Sequence, residues 1–249
     1  RDYSAEVDSV ATRILKDKRV EVFVKSPDNE HANFEEPVAM GDCPYSQRVL
    51  ITLEELGIKY SVTPIPLKAK PSWFHLLHPE GSVPVLYHAG SLVADSRHIV
   101  GYLLETFSHA GSALRTQSKL KIAVGTMTFT RFYPPFLAAI SGQKPALAEM
   151  QHELRRLNAF VEEVHKHQAG PFLGGMTFSR EDTAVVPMLH RLAIAGPAVM
   201  GPAYGIPDDC SALKRYLDAA MERKSFAKTL PSDEVVVEGY GALRNEGKM

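Results

Sequence analysis

Cysteine is scarce in this chain, with two residues, Cys43 and Cys210, among 249. Two thiols so far apart exclude the dense disulfide framework of a small secreted domain and fit a reducing compartment, cytoplasmic or, alternatively, the chloroplast stroma. A bridge between them is an alternative supported only by their number. Neither sign of charge is in excess, because 28 Lys and Arg stand against 29 Asp and Glu. With no basic cluster on one face, nothing electrostatic points to nucleic acid. No apolar run approaches the roughly 18–20 residues of a membrane span, so a soluble chain with no membrane partner is expected. Ten histidines are present, but none falls in a metal-ligand spacing, and no metal is expected. Residues 1–18 lack the apolar core of a secretory signal. Because the chain begins at Arg1, removal of something upstream is expected.

The length suits two domains, each with its own core. Val20, Val22 and Val24 alternate with Glu21 and Phe23, a two-residue period that predicts a strand ending at Lys25. A loop follows from Ser26 to Met40. From Pro44, apolar residues recur at helical spacing up to Gly57. Ile58, Tyr60 and Val62 predict a second strand, parallel to the first across a right-handed crossover. Val83–Tyr87 and Ser91–Val93 flank a turn at His88–Gly90 and predict a hairpin. A helix with Ile99, Val100, Leu103 and Leu104 on its apolar face follows Asp95 and Ser96.

Small and polar residues from Phe107 to Gln117 mark the linker. The expected domains are 1–109, with a mixed four-stranded sheet, and 110–249, all helical. Helical periodicity runs over Lys119–Tyr133, Leu147–His167, Thr183–Ala195 and Leu213–Met221, with Pro134-Pro135 as punctuation and a mixed tail at the end. Ser179 and Asp182 have capping-box spacing and a structural role.

The chemistry starts at Cys43, which the segment Gly41-Asp42-Cys43-Pro44-Tyr45-Ser46 places at a helix N-terminus. Unsatisfied N–H groups and the helix dipole favour a thiolate there, and Pro44 suits the first helical position. Ser46 stands where a Cys-x-x-Cys motif carries its second thiol. An external thiol must therefore complete any redox cycle.

The β-α-β, β-β-α order with cysteine at the first helix is the thioredoxin arrangement, and Val83-Pro84 falls at that fold's cis-proline. A cis bond there lets the Val83 main chain pair with an extended cysteinyl peptide; an ordinary strand-edge proline is the plainer alternative. Asp95 and Ser96, opening a helix, either cap it or hold a carboxylate. A thiol, a peptide-pairing edge and a carboxylate pocket at one end of the sheet match glutathione.

Gly-Asp-Cys-Pro-Tyr-Ser-Gln-Arg-Val-Leu from Gly41, Lys-Pro-Ser-Trp-Phe from Lys70, Pro-Glu-Gly-Ser-Val-Pro-Val from Pro79, Ala-Asp-Ser from Ala94 and the stretch Glu222–Thr229 together resemble plant-type dehydroascorbate reductases. These belong to the glutathione transferase superfamily. The resemblance spans about Val20 to about Gly239. It implies glutathione-dependent reduction of dehydroascorbate by a monomer, with Cys43 as nucleophile and glutathione as co-substrate. It also implies that Lys70, Val83, Asp95 and Ser96 contact glutathione, and that Lys25 and Asp42, beside the thiol, line the pocket for both substrates. Lys25 is expected to favour the thiolate, with Asp42 turned to substrate. The loop Ser26–Met40 is longer than the family pattern. An omega-class-like thioltransferase and a non-catalytic, chloride-channel-like protein that inserts in membranes share the scaffold and stand as alternatives.

Overall fold

A computed structural model describes residues 20–27, 40–107, 114, 131–143 and 146–246. Most of the loop Ser26–Met40, most of the linker, and residues 119–130 of the first expected helix of the second domain lie outside them. The chain divides into two compact units, Arg1–Ser108 and His109–Met249.

Unit 1 contains β1 (Val20–Lys25), α1 (Pro44–Glu55), β2 (Tyr60–Ile65), α2 (Ser72–Leu77), β3 (Val85–His88), β4 (Ser91–Ala94) and α3 (Ser96–Phe107). The sheet order is β2-β1-β3-β4, with β1 parallel to β2 and the remaining pairs antiparallel. Because side chains alternate across a strand, β1 feeds two cores. Val20, Val22 and Val24 pack with Val49, Leu50 and Leu53 of α1 and Ile99 and Leu103 of α3. On the opposite face Phe23 joins Ile65, Val85 and the α2 residues Trp73 and Phe74. Trp73 and Phe74 thus lie on a six-residue helix, too short for periodicity to show. Glu21, buried on the Phe23 face, accepts a hydrogen bond from the Thr63 hydroxyl of β2, which satisfies an otherwise costly carboxylate. The hairpin turns on Ala89 and Gly90, both left-handed at φ 48° and 85°, the conformation a two-residue turn needs to match strand twist.

Unit 2 is helical in the described residues: α4 (Tyr133–Ile140), α5 (Ala146–His167), α6 (Arg180–Ala195), α7 (Ser211–Met221), α8 (Lys224–Thr229) and α9 (Asp233–Glu246). A π-helical turn (Gly196–Met200) and a 3-10 turn (Pro202–Tyr204) follow α6. Pro134-Pro135 lies in the first turn of α4, where a missing N–H costs nothing, so these prolines begin a helix. The expected mixed tail holds α8 and α9. Asp182 is the hub of the α6 N-terminus, accepting from Leu173 N at 3.0 Å, Ser179 N at 2.7 Å and Tyr216 Oη at 2.8 Å. Ser179 Oγ accepts in return from Asp182 N, completing a reciprocal cap.

The segment Arg180–Met200 departs from the expectation that nothing here could span a membrane. An 18-residue window within its 21 residues has a mean hydropathy of 1.3, enough by length and composition, and 67% of that window is buried within the protein, as in the core helix of a globular domain. His190 and Arg191 sit in its middle, both buried.

Candidate active site

Cys43 is the N-cap of α1, with extended backbone (φ −69°, ψ 113°) and Pro44 in the first turn. Its sulfur makes no capping bond, and the residue is partly exposed. The thiol is thus reachable at the positive end of α1. Gly41 lets the chain arrive there, since a Cβ at this residue would stand 2.3 Å from Lys25 O and 2.9 Å from Ser26 O. No side chain fits. Ser46, one turn into α1 and buried, accepts from Lys25 N at 3.5 Å and joins the helix to the end of β1.

Lys25 and Asp42 meet each other. Lys25 Nζ lies 2.6 Å from Asp42 Oδ1, with side chains 14% and 7% exposed. The two side chains thus form a largely buried ion pair, the arrangement that two opposite charges withdrawn from water favour.

Strand register brings the other expected residues to the same end of the sheet. The β1–β3 pairing Phe23↔Val85, continued by two residues, sets Val83 level with Lys25. The β3–β4 pairing Val85↔Ala94, continued likewise, sets Ser96 level with Val83. The Val83-Pro84 bond is cis. Lys70 approaches the turn before it, for a Cβ at Gly81 would lie 3.2 Å from Lys70 Nζ.

Asp95 caps α3: its Oδ1 accepts from Arg97 N at 2.8 Å and His98 N at 3.4 Å, from a left-handed backbone at φ 67°. Ser96 is buried, and its Oγ accepts from Arg48 Nη1 at 3.4 Å. Three residues of α1 that follow Cys43 in the Cys-Pro-Tyr-Ser-Gln-Arg run carry no site role in the sequence pattern. Arg48 is buried. Tyr45 has its phenol pushed up, by burial first and then by Cys43 and Asp95. Gln47 is buried, and neither amide atom has a hydrogen-bond partner among the described residues.

Cys210 is a free, buried thiol whose pKa burial raises, aided by Asp209. No group of three or more His, Cys, Asp or Glu side chains suited to a metal ion occurs among the described residues.

Residues 38–111 match the family model described as glutathione S-transferase, N-terminal domain. The glutathione S-transferase DHAR2 of Arabidopsis thaliana is 34% identical over 209 residues, covering 84% of this chain and 93% of the relative. The probable cytosolic glutathione S-transferase DHAR1 of rice, Oryza sativa subsp. japonica, is 31% identical over 84% of this chain and 93% of its own length. The crystal structure of Chlamydomonas reinhardtii dehydroascorbate reductase shares the fold, with a TM-score of 0.73 at 22% identity over 90% of this chain and 98% of that one. The sheet order, the cysteine at the start of α1 and these similarities agree: the chain belongs to the plant-type dehydroascorbate reductases of the glutathione transferase superfamily.

Proposed function

We propose that this protein reduces dehydroascorbate to ascorbate with glutathione in a ping-pong cycle through Cys43. The observation that carries the reading is the partly exposed, uncapped Cys43 sulfur at the start of α1, in a chain whose relatives are named for this family. The thiolate attacks an electrophilic carbonyl of dehydroascorbate. Two electrons pass from sulfur to the substrate, a water oxygen goes to sulfur, and ascorbate departs with the two hydrogens it gains. The sulfenic acid left behind condenses with one glutathione, releasing that water and forming a mixed disulfide. A second glutathione attacks the mixed disulfide, glutathione disulfide leaves, and the Cys43 thiolate is restored.

In this reading Val83 pairs with the cysteinyl backbone of glutathione, Lys70 contacts the tripeptide, and Asp95 and Ser96 hold the γ-glutamyl end at the start of α3. The Lys25–Asp42 pair flanks the thiol and bounds the space for dehydroascorbate. The protein acts as a monomer, with no metal, in a reducing compartment.

The test is ascorbate formation followed by its ultraviolet absorption. Wild type produces it in proportion to glutathione supplied, and Cys43→Ser does not. Intact mass after partial turnover shows one glutathione on Cys43. A Cys43→Ser protein of wild-type rate removes the proposal; hydroxyethyl disulfide turned over as fast as dehydroascorbate replaces it with a general thioltransferase.

A further inference from the structure

Arg48 is a full charge on α1, 4% exposed, and its Nη1 reaches across to the Ser96 hydroxyl, the first residue of α3, at 3.4 Å. At that length the hydrogen bond is weak, and the orientation it imposes matters more than its strength. A hydroxyl has one proton and two lone pairs. With a lone pair turned to the guanidinium, the Ser96 O–H is left to donate elsewhere. Tyr45 lies three residues before Arg48 on the same helix, so the two share a face. Cys43 and Asp95 raise the Tyr45 phenol while Arg48 and Arg97 act in the opposite sense. The thiol, Asp95 and both guanidinium groups thus all act on the Tyr45 phenol. Arg97 is 64% exposed and 3.7 Å from Asp95 Oδ1, so water and that carboxylate damp its field. Arg48 is withdrawn from water, so solvent screens it less.

We propose that Arg48 is a positioning residue for glutathione: it turns the Ser96 hydroxyl into a donor and adds a buried positive charge, so that this end of the site selects the γ-glutamyl α-carboxylate. The proposal rests on the glutathione reading above. Lysine could supply charge at this place but not the planar fork that keeps Ser96 oriented.

The experiment compares glutathione with 4-aminobutyryl-cysteinylglycine, which is glutathione without that α-carboxylate, as reductant of dehydroascorbate. Wild type should show a KM at least about tenfold lower for glutathione, the size of one hydrogen bond to a charged group. Arg48→Gln should raise the glutathione KM by about tenfold and the analogue KM by less than about twofold, and Arg48→Lys should fall between. Fluorescence of Trp73, the single tryptophan, checks that unit 1 is folded. If Arg48→Gln does not fold, Arg48→Lys decides, with a loss of about threefold in discrimination expected. Equal KM increases for both thiols, or unchanged discrimination in a folded variant, overturn the proposal. A wild type that discriminates nothing yet still uses glutathione also overturns it, leaving the reductase reading intact. Absence of any glutathione-dependent reduction by wild type removes the reductase reading itself.

Discussion

The Lys25–Asp42 pair makes a sharp energetic prediction. At 2.6 Å, with side chains 14% and 7% exposed, the two charges attract by about 6 kcal/mol for an effective dielectric of roughly 20. Several kcal/mol of lost hydration per ion oppose this. Lys25→Met takes the Lys25 charge from a buried carboxylate, and Asp42→Asn takes the Asp42 charge from a buried ammonium; each should destabilise unit 1 by about 3 kcal/mol. The double variant removes both hydration costs with the attraction and should lose only about 1–2 kcal/mol. A double-mutant cycle then yields a coupling of about 4–5 kcal/mol. Urea unfolding followed by Trp73 fluorescence reads it out, because Trp73 packs on the sheet of unit 1. The same series has a chemical readout. In Lys25→Met the carboxylate of the residue before Cys43 loses the Lys25 charge, so iodoacetamide alkylation should slow, and the double variant should recover. A coupling below about 0.5 kcal/mol, the range of exposed pairs, or alkylation indifferent to Lys25, would refute the argument.

Two other perturbations test the frame. Gly41→Ala sets a methyl group 2.3 Å from Lys25 O; backbone cannot rotate aside, so unit 1 should lose about 3 kcal/mol by Trp73 fluorescence, and a variant as stable as wild type would contradict the close approach. His190, buried and beside Arg191, has its pKa lowered to about 3 from 6.5. The unfolded chain binds that proton below pH 6.5 while the folded chain does not, so stability is full above pH 6.5 and is lost as pH falls toward 3, by about 1.4 kcal/mol per unit. Urea midpoints by far-ultraviolet circular dichroism between pH 7 and 4 should fall less steeply in His190→Gln, and parallel slopes would remove His190 as the cause.

Much of this architecture was legible because it is carried by local pattern. Val20, Val22 and Val24 reveal β1 by alternation, and the α1 residues Val49, Leu50 and Leu53 reveal a helix by spacing. What stayed hidden depends on packing. In α9 the β-branched run Val235-Val236-Val237 and the glycines 239 and 241 have poor helix propensity, yet Val236, Gly239 and Tyr240 are buried at helical spacing, and Tyr240 Oη meets Tyr133 Oη at 2.5 Å. Tertiary contact outweighs propensity there. At the site, residue types and positions could be read from the Cys43, Val83 and Asp95-Ser96 segments. The partners could not: that Asp42 turns to Lys25, or that Arg48 reaches Ser96, is decided by side-chain direction across elements distant in sequence.

The run Arg180–Met200 has a consequence for handling the protein. Apart from His190 and Arg191, the stretch from Thr183 to Met200 is largely apolar, and packing within unit 2 keeps most of it from water. Any lesion that loosens unit 2 would therefore announce itself as precipitate or adhesion to lipid vesicles before a fall in turnover by the surviving molecules. Yield and clarity of a preparation become the early gauge of damage far from the sulfur.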